Sequence, residues 1–204
     1  MKIVEGLRDS WFTHEFNQWF GNSVIKEENG RPRVVYHGTT KDFDHFDHSN
    51  LGAATGARTT QLGTFFTDNE LVSGIFAHGD GGNIRPCFLK MTNPLELGSY
   101  TVKDRVRSQD GFTHLHAAIA KIAGKETWDE VEASDVVAWR ERVKQSYDGI
   151  IIYNTGMDGA ARTISNPYSH FYIVFDPANI RSVFAPNTFL DEAIRKKYLG
   201  VPGA

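Results

Sequence analysis

The side chains best suited to chemistry gather in one dense loop and three short stretches. The loop is DFDHFDH, residues 42–48, where Asp42, Asp44, His45, Asp47 and His48 offer the oxygen and imidazole donors that a divalent ion takes. Their spacing matches no defined metal motif, and Phe43 and Phe46 read as anchors that pin a polar loop, so no metal is expected. The first stretch is VVYHGTT, residues 34–40, an apolar run that delivers Tyr36, His37, Gly38 and Thr39 into a turn. The second is GTFFTDNELVSGIFAHG, residues 63–79, carrying Phe65, Phe66, Ser73 and Phe76. The third is FYIVFDPANIRSVF, residues 171–184. Taken singly each has a plain structural reading: a histidine after a strand is usually satisfied by its surroundings, and the phenylalanines are ordinary core. His114 and His116, two apart on a helical stretch, face different ways and read as surface residues. The single cysteine, Cys87, lies in the strand-like CFLKM and reads as a buried, inert thiol; one cysteine forms no intramolecular disulfide. GxGxxG, GxxxxGK[ST] and GxSxG are missing, which removes support for a Rossmann dehydrogenase, a P-loop NTPase and a typical α/β-hydrolase.

These stretches must be held by elements that the pattern marks out. WFTHEFNQWF, residues 11–20, repeats aromatics at helical spacing, with Ser10 as the expected cap and Gly21 as the stop. VIKEE and RPRVVY flank Asn29-Gly30, a hairpin signature. Residues 41–62 read as a loop, GTFFT as a strand, DNELVSGIFAHG as a short helix and RPCFLKMT as a strand. Residues 103–146 turn helical, with Thr127 and Glu130 as a capping box and Val136, Trp139, Arg140 and Val143 along one face. Tyr147-Asp148-Gly149 turns into the strand IIIY; FYIVF and RSVFA supply two more. FLDEAIRKKYL, within about 188–199, forms a last helix with acids first, bases last and Gly200 beyond. Strands at both ends with helices between them give an α+β chain, not regular βαβ alternation.

At 204 residues and 40% hydrophobic content, the chain is too apolar for disorder and fits one domain over 1–204. A net charge of −3 gives no electrostatic case for nucleic acid or an anionic membrane. Met1-KIVEGLRDS has no leader pattern, and no 18-residue apolar run occurs, so a soluble, cytoplasmic chain without a membrane partner is expected; composition does not assign its oligomeric state.

Together and in this order, WFG…GRPRVVYHGT, GTFFT with Ser73 and Phe76, and FYIVFDPANI resemble the ADP-ribosyltransferases of the diphtheria-toxin and poly(ADP-ribose) polymerase branch. They are most similar to the small transferase domains of phage and conjugative-element polyvalent proteins. The resemblance covers about residues 16–184 and is weakest over 99–146. It implies two small antiparallel-rich sheets around an NAD⁺ cleft with helices outside. It implies that Gly38 pairs its N–H and C=O with the nicotinamide carboxamide, and that His37 hydrogen-bonds the adenosine-side ribose. Phe65 and Phe76 match the aromatics lining the nicotinamide, Ser73 would bond the carboxamide, and Tyr36 and Thr39 flank the same cofactor-binding turn. An aromatic face over a cation contributes about 0.5–2 kcal/mol.

The third motif departs from the family. Where active relatives carry Glu, or Gln in some members, this chain has Phe171, which can neither bond a ribose hydroxyl nor stabilise a developing cation. Asp158, Arg162, Tyr168, Ser169 and His170 are the nearby polar groups, with Asp158 the first choice as a substitute acid. The resemblance thus implies a mono-ADP-ribosyltransferase acting on a protein or nucleic-acid acceptor, with NAD⁺ as co-substrate and an atypical third position. The competing readings are an inactive NAD⁺/ADP-ribose-binding module and an interaction protein that retains only the fold. The resemblance implies that acceptor choice lies largely in the loop at 154–170; a phage modifier, a toxin and a defence enzyme would share these features.

Overall fold

The computed structural model describes residues 11–51, 56–78, 81–98, 111–156 and 168–200. Among these residues seven strands form one sheet: β1 Val35–Thr39, β2 Thr64–Thr67, β3 Asn83–Leu89, β4 Leu95–Leu97, β5 Gly149–Gly156, β6 Tyr168–Val174 and β7 Ile180–Ser182, in the order β4-β5-β6-β2-β1-β3-β7. Among the described residues only β4 and β5 run parallel, joined through α3 (Gly111–Ala123) and α4 (Ala133–Val143), as a parallel pair requires a long crossover. The two sheets expected are present as two halves of this one, β4-β5-β6-β2 and β1-β3-β7. They meet at a single register pair, Tyr36↔Thr67, whereas β1 and β3 pair over all five residues of β1.

Period-two alternation decides what covers each face. In β5, Ile150 and Ile152 enter one core with Leu115, Ile119, Val136 and Trp139 of α3 and α4, while Ile151 enters another on the opposite face. Buried on both sides, β5 reads as the continuous apolar run IIIY. β6 divides likewise: Phe171 and Ile173 face α3 and α4, and Tyr172 and Val174 face the second core with Val35, Phe66 and Cys87. Over the β1-β3-β7 half, α1 (His14–Phe20) and α5 (Glu192–Leu199) enclose Phe12, Phe16, Phe88 and Tyr198.

Several elements shift from their expected bounds for local reasons. Ser10 lies outside the described residues; the cap of α1 is Thr13, whose Oγ1 accepts from the Phe16 N–H at 3.1 Å. The hairpin at Asn29-Gly30 closes through the Lys26↔Pro32 bridge, flanked by a Glu27 N–H to Arg31 C=O bond of 2.8 Å and an Arg33 N–H to Ile25 C=O bond of 3.0 Å, and Pro32 sits at the pair that needs no N–H; the strand that joins the sheet starts at Val35. Thr127 bonds Glu130 side chain to side chain at 3.0 Å and heads a 3₁₀ turn, Trp128–Glu130; α4 begins later, where Asp135 accepts from the Glu132 N–H at 2.9 Å. His114 is exposed, while His116 is half-buried and stacks on Trp128 at 3.9 Å. Among the described residues, no helix is long and apolar enough to cross a membrane.

Candidate functional site

The site forms where the sheet is nearly cut. Beyond Tyr36↔Thr67, β1 and β2 form no further register pair, so His37 and Gly38 are laddered to β3 alone. His37 bridges the gap with its side chain, Nδ1 lying 2.8 Å from the Phe65 carbonyl. A carbonyl only accepts, so Nδ1 carries the proton; burial, the largest influence, holds the ring below its ordinary pKa, helped by the Arg85 charge and opposed by the Phe65 bond. The neutral ring therefore keeps Nε2 as an acceptor.

The DFDHFDH loop supplies the walls of that imidazole. The Phe43 and Phe46 rings lie 6.2 and 5.3 Å from His37, with Phe66 at 5.5 Å beneath. Three of the loop's polar residues hold its shape. Asp42 pairs with Arg85 at 2.8 Å, Asp47 accepts from the Ser49 N–H at 2.8 Å, and His48 meets Thr64 Oγ1 at 3.0 Å. The anchoring reading of the two phenylalanines fits these contacts.

Across the sheet, α2 (Glu70–Gly74) is capped by Asn69 and lies on β1. A Cβ at Gly38 would stand 1.9 Å from the Ser73 carbonyl oxygen and 3.1 Å from Phe76 Cβ. Glycine is thus required by the packing of α2 on β1, a reason independent of any ligand. The same approach brings Gly38, Ser73 and Phe76 together. Ser73 is 1% exposed, and its hydroxyl has no hydrogen-bond partner. A buried unsatisfied hydroxyl costs about 1–3 kcal/mol, which an amide reaching the site would relieve. Phe76 is 39% exposed, an open aromatic whose Cβ approaches the same glycine.

The remaining expected residues divide between places. Phe65 is half-buried on the face of the first core, the face Phe171 also occupies, whereas the His37 ring packs with Phe66 on the other. His37 and Phe65 therefore reach the gap from opposite faces, linked by the one hydrogen bond. Phe171 is 3% exposed, pairs with Thr67 across the ladder and meets the Phe112 ring edge-on at 5.4 Å. Its position is an apolar plug under the start of α3. Tyr36 lines a separate concavity of about 310 Å³ with Glu27, Arg31 and Tyr198. Thr39 uses its Oγ1 to accept from the Lys41 N–H at 3.1 Å, closing the turn. Asp158 and Arg162 lie outside the described residues.

One cluster escaped sequence reasoning. Asp68 accepts from the His170 N–H at 2.8 Å and pairs with Arg33 at 3.1 Å, and Arg33 also reaches Glu27 at 3.2 Å. Burial first, then the Asp68 charge, raises the Tyr172 phenol far above its ordinary pKa. The cluster clamps the end of β2 to β6 beside Phe171. Only strand register unites residues 27, 33, 68 and 170, so no spacing signals it. Elsewhere, burial pushes the Cys87 thiol up to about 12, consistent with an inert role.

Residues 27–189, well over half of the chain, match the family described as ADP-ribosyltransferase in polyvalent proteins. No curated protein and no solved structure matches the chain. The matched span takes in the strand gap, α2 and the plugged strand β6 alike, and the chain belongs to the ADP-ribosyltransferases of polyvalent proteins.

Proposed function

We propose that the gap between β1 and β2 receives the nicotinamide end of NAD⁺ and that the chain transfers ADP-ribose from it to an acceptor on a protein or nucleic acid. The observation that carries this is the buried Ser73 hydroxyl, which has no hydrogen-bond partner, on a residue whose carbonyl packs against Gly38 where the Cβ of the exposed Phe76 also approaches. NAD⁺ supplies an N-glycosidic bond whose cleavage leaves a cationic sugar centre. The residues of the chain bind and orient. Ser73 and the backbone edge of Gly38 hold an amide, Phe76 and Phe65 offer aromatic surface, and neutral His37 accepts a hydrogen bond at Nε2 from a ribose hydroxyl. Asp158 is the proposed substitute acid.

A second reading, NAD⁺ binding without turnover, is favoured by the burial of Phe171 under Phe112, which removes the polar group at the third position. Nicotinamide release from NAD⁺ separates the two. The transferase reading expects release by wild type, loss in His37→Gln and loss in Asp158→Asn. Tight NAD⁺ binding with no release, restored by Phe171→Gln, selects the binding module. No binding at all overturns both.

A further inference from the structure

A second buried hydroxyl, on the face of the sheet that α2 and Ser73 cover, is also left unpaired. Ser169 is 5% exposed and its Oγ has no hydrogen-bond partner. Strand alternation gives its direction. Phe171 and Ile173 face the first core, and the register of β6 against β2 is unbroken from Thr67↔Phe171 to Thr64↔Val174. Ser169, two residues before Phe171, therefore shares the face of Phe171 and Phe65. His170 turns the other way, its ring 5.3 Å from Tyr153. The register shift that breaks this stretch lies in β5, between Ile152 and Thr155, and β6 resumes pairing at Thr155↔Ser169. On its other side Ser169 lies just past the last rung with β2, where the Asp68 N–H bonds the His170 carbonyl at 3.3 Å. Ser169 thus stands where the ladder ends, next to the apolar plug.

We infer that the Ser169 hydroxyl is a ligand-binding group of this cleft that hydrogen-bonds a ribose hydroxyl of NAD⁺, as a neutral group adjoining the position held by Phe171. The inference rests on the NAD⁺ reading above. Its chemistry follows from the group: a serine hydroxyl both donates and accepts, as a sugar hydroxyl does, whereas Phe171 does neither. Two unpartnered hydroxyls on one face, Ser169 on β6 and Ser73 on α2 over β1, with β2 between them, suit a ligand carrying an amide at one end and hydroxyls at the other.

The test is calorimetric titration of wild type, Ser169→Ala and Ser73→Ala with NAD⁺ and, separately, with nicotinamide, alongside urea denaturation without ligand. A neutral hydrogen bond predicts that Ser169→Ala weakens NAD⁺ by about 3- to 10-fold and leaves nicotinamide unchanged. Ser73→Ala weakens both ligands. Without ligand, Ser169→Ala unfolds at or above the wild-type urea midpoint, because no internal bond is lost. Wild-type NAD⁺ affinity in Ser169→Ala, with Ser73→Ala weakened, overturns this inference and leaves the NAD⁺ reading standing. A lowered urea midpoint in Ser169→Ala overturns it as well, since the hydroxyl would then have a structural partner. No NAD⁺ binding by wild type overturns both readings.

Discussion

Replacing Gly38 with alanine tests how α2 meets the sheet. The new Cβ would lie 1.9 Å from the Ser73 carbonyl oxygen and 2.9 Å from its carbon, where contacts under 3.0 Å force something to move. The obstacle is main chain, so no side chain can swing aside. Ser73 is 1% exposed, and its N–H bonds the Asn69 carbonyl at 3.0 Å, so relief requires α2 to shift as a body by more than 1 Å. Overpacking of this kind costs about 1–3 kcal/mol, and in a chain of this size each kcal/mol lowers Tm by about 2–4 °C. The neighbouring glycine is the control. A Cβ at Gly74 would meet only Ile84 Cδ1, at 3.7 Å, and Gly74 sits in helical backbone, so Gly74→Ala is neutral or stabilising by up to about 1 kcal/mol. Urea denaturation followed by far-UV circular dichroism reads both. A Gly38→Ala midpoint equal to wild type, or a Gly74→Ala loss as large as that of Gly38→Ala, would refute the reasoning.

Other consequences follow from the same contacts. Phe171→Ala empties a buried ring site against Phe112 and costs about 3–5 kcal/mol in urea unfolding, with Phe171→Glu costing more because its charge would be buried unpaired; wild-type stability in either would show that the plug is not packed. His37, His48 and His170 all have pKa values lowered from 6.5, chiefly by burial, so the unfolded chain binds more protons than the folded one below that value. Their contribution is complete above pH 6.5 and is lost as pH falls toward the folded values. His37→Gln should flatten the fall in stability between pH 7 and 5, and an unchanged slope would count against a buried neutral ring. Cys87, 0% exposed and pushed up to about 12, should react with a thiol reagent at pH 8 only when urea unfolds the chain; rapid labelling of the folded protein contradicts that burial.

Local patterns foretold much of this architecture, and pairings that depend on the whole chain did not show in them. The IIIY run, the aromatic stripe of α1 and the acid-to-base order of α5 each announce an element through its own residues. The motif order pointed to the family because His37, Gly38, Phe65 and Ser73 keep their spacing in the chain. Sequence could not show that Gly38 is fixed by the Ser73 carbonyl, since that contact joins β1 to a helix 35 residues on. Nor could it show that His37 and Phe65 approach from opposite faces, which depends on the single rung at Tyr36↔Thr67. Phe171 was legible as a departure from the family, but its burial under Phe112 depends on where α3 lands.

The most direct test of the central claim is NAD⁺ binding measured by thermal unfolding, wild type beside Ser73→Ala. At 100 times its Kd, NAD⁺ should stabilise wild type by about 2.7 kcal/mol. Ser73→Ala should unfold without ligand at or above the wild-type temperature, since it removes a buried hydroxyl that has no partner. The variant should need about 10-fold more NAD⁺ for the same shift. A wild type that NAD⁺ does not move, or a Ser73→Ala protein that responds as wild type does, would contradict the assignment of the gap between β1 and β2 as the nicotinamide site.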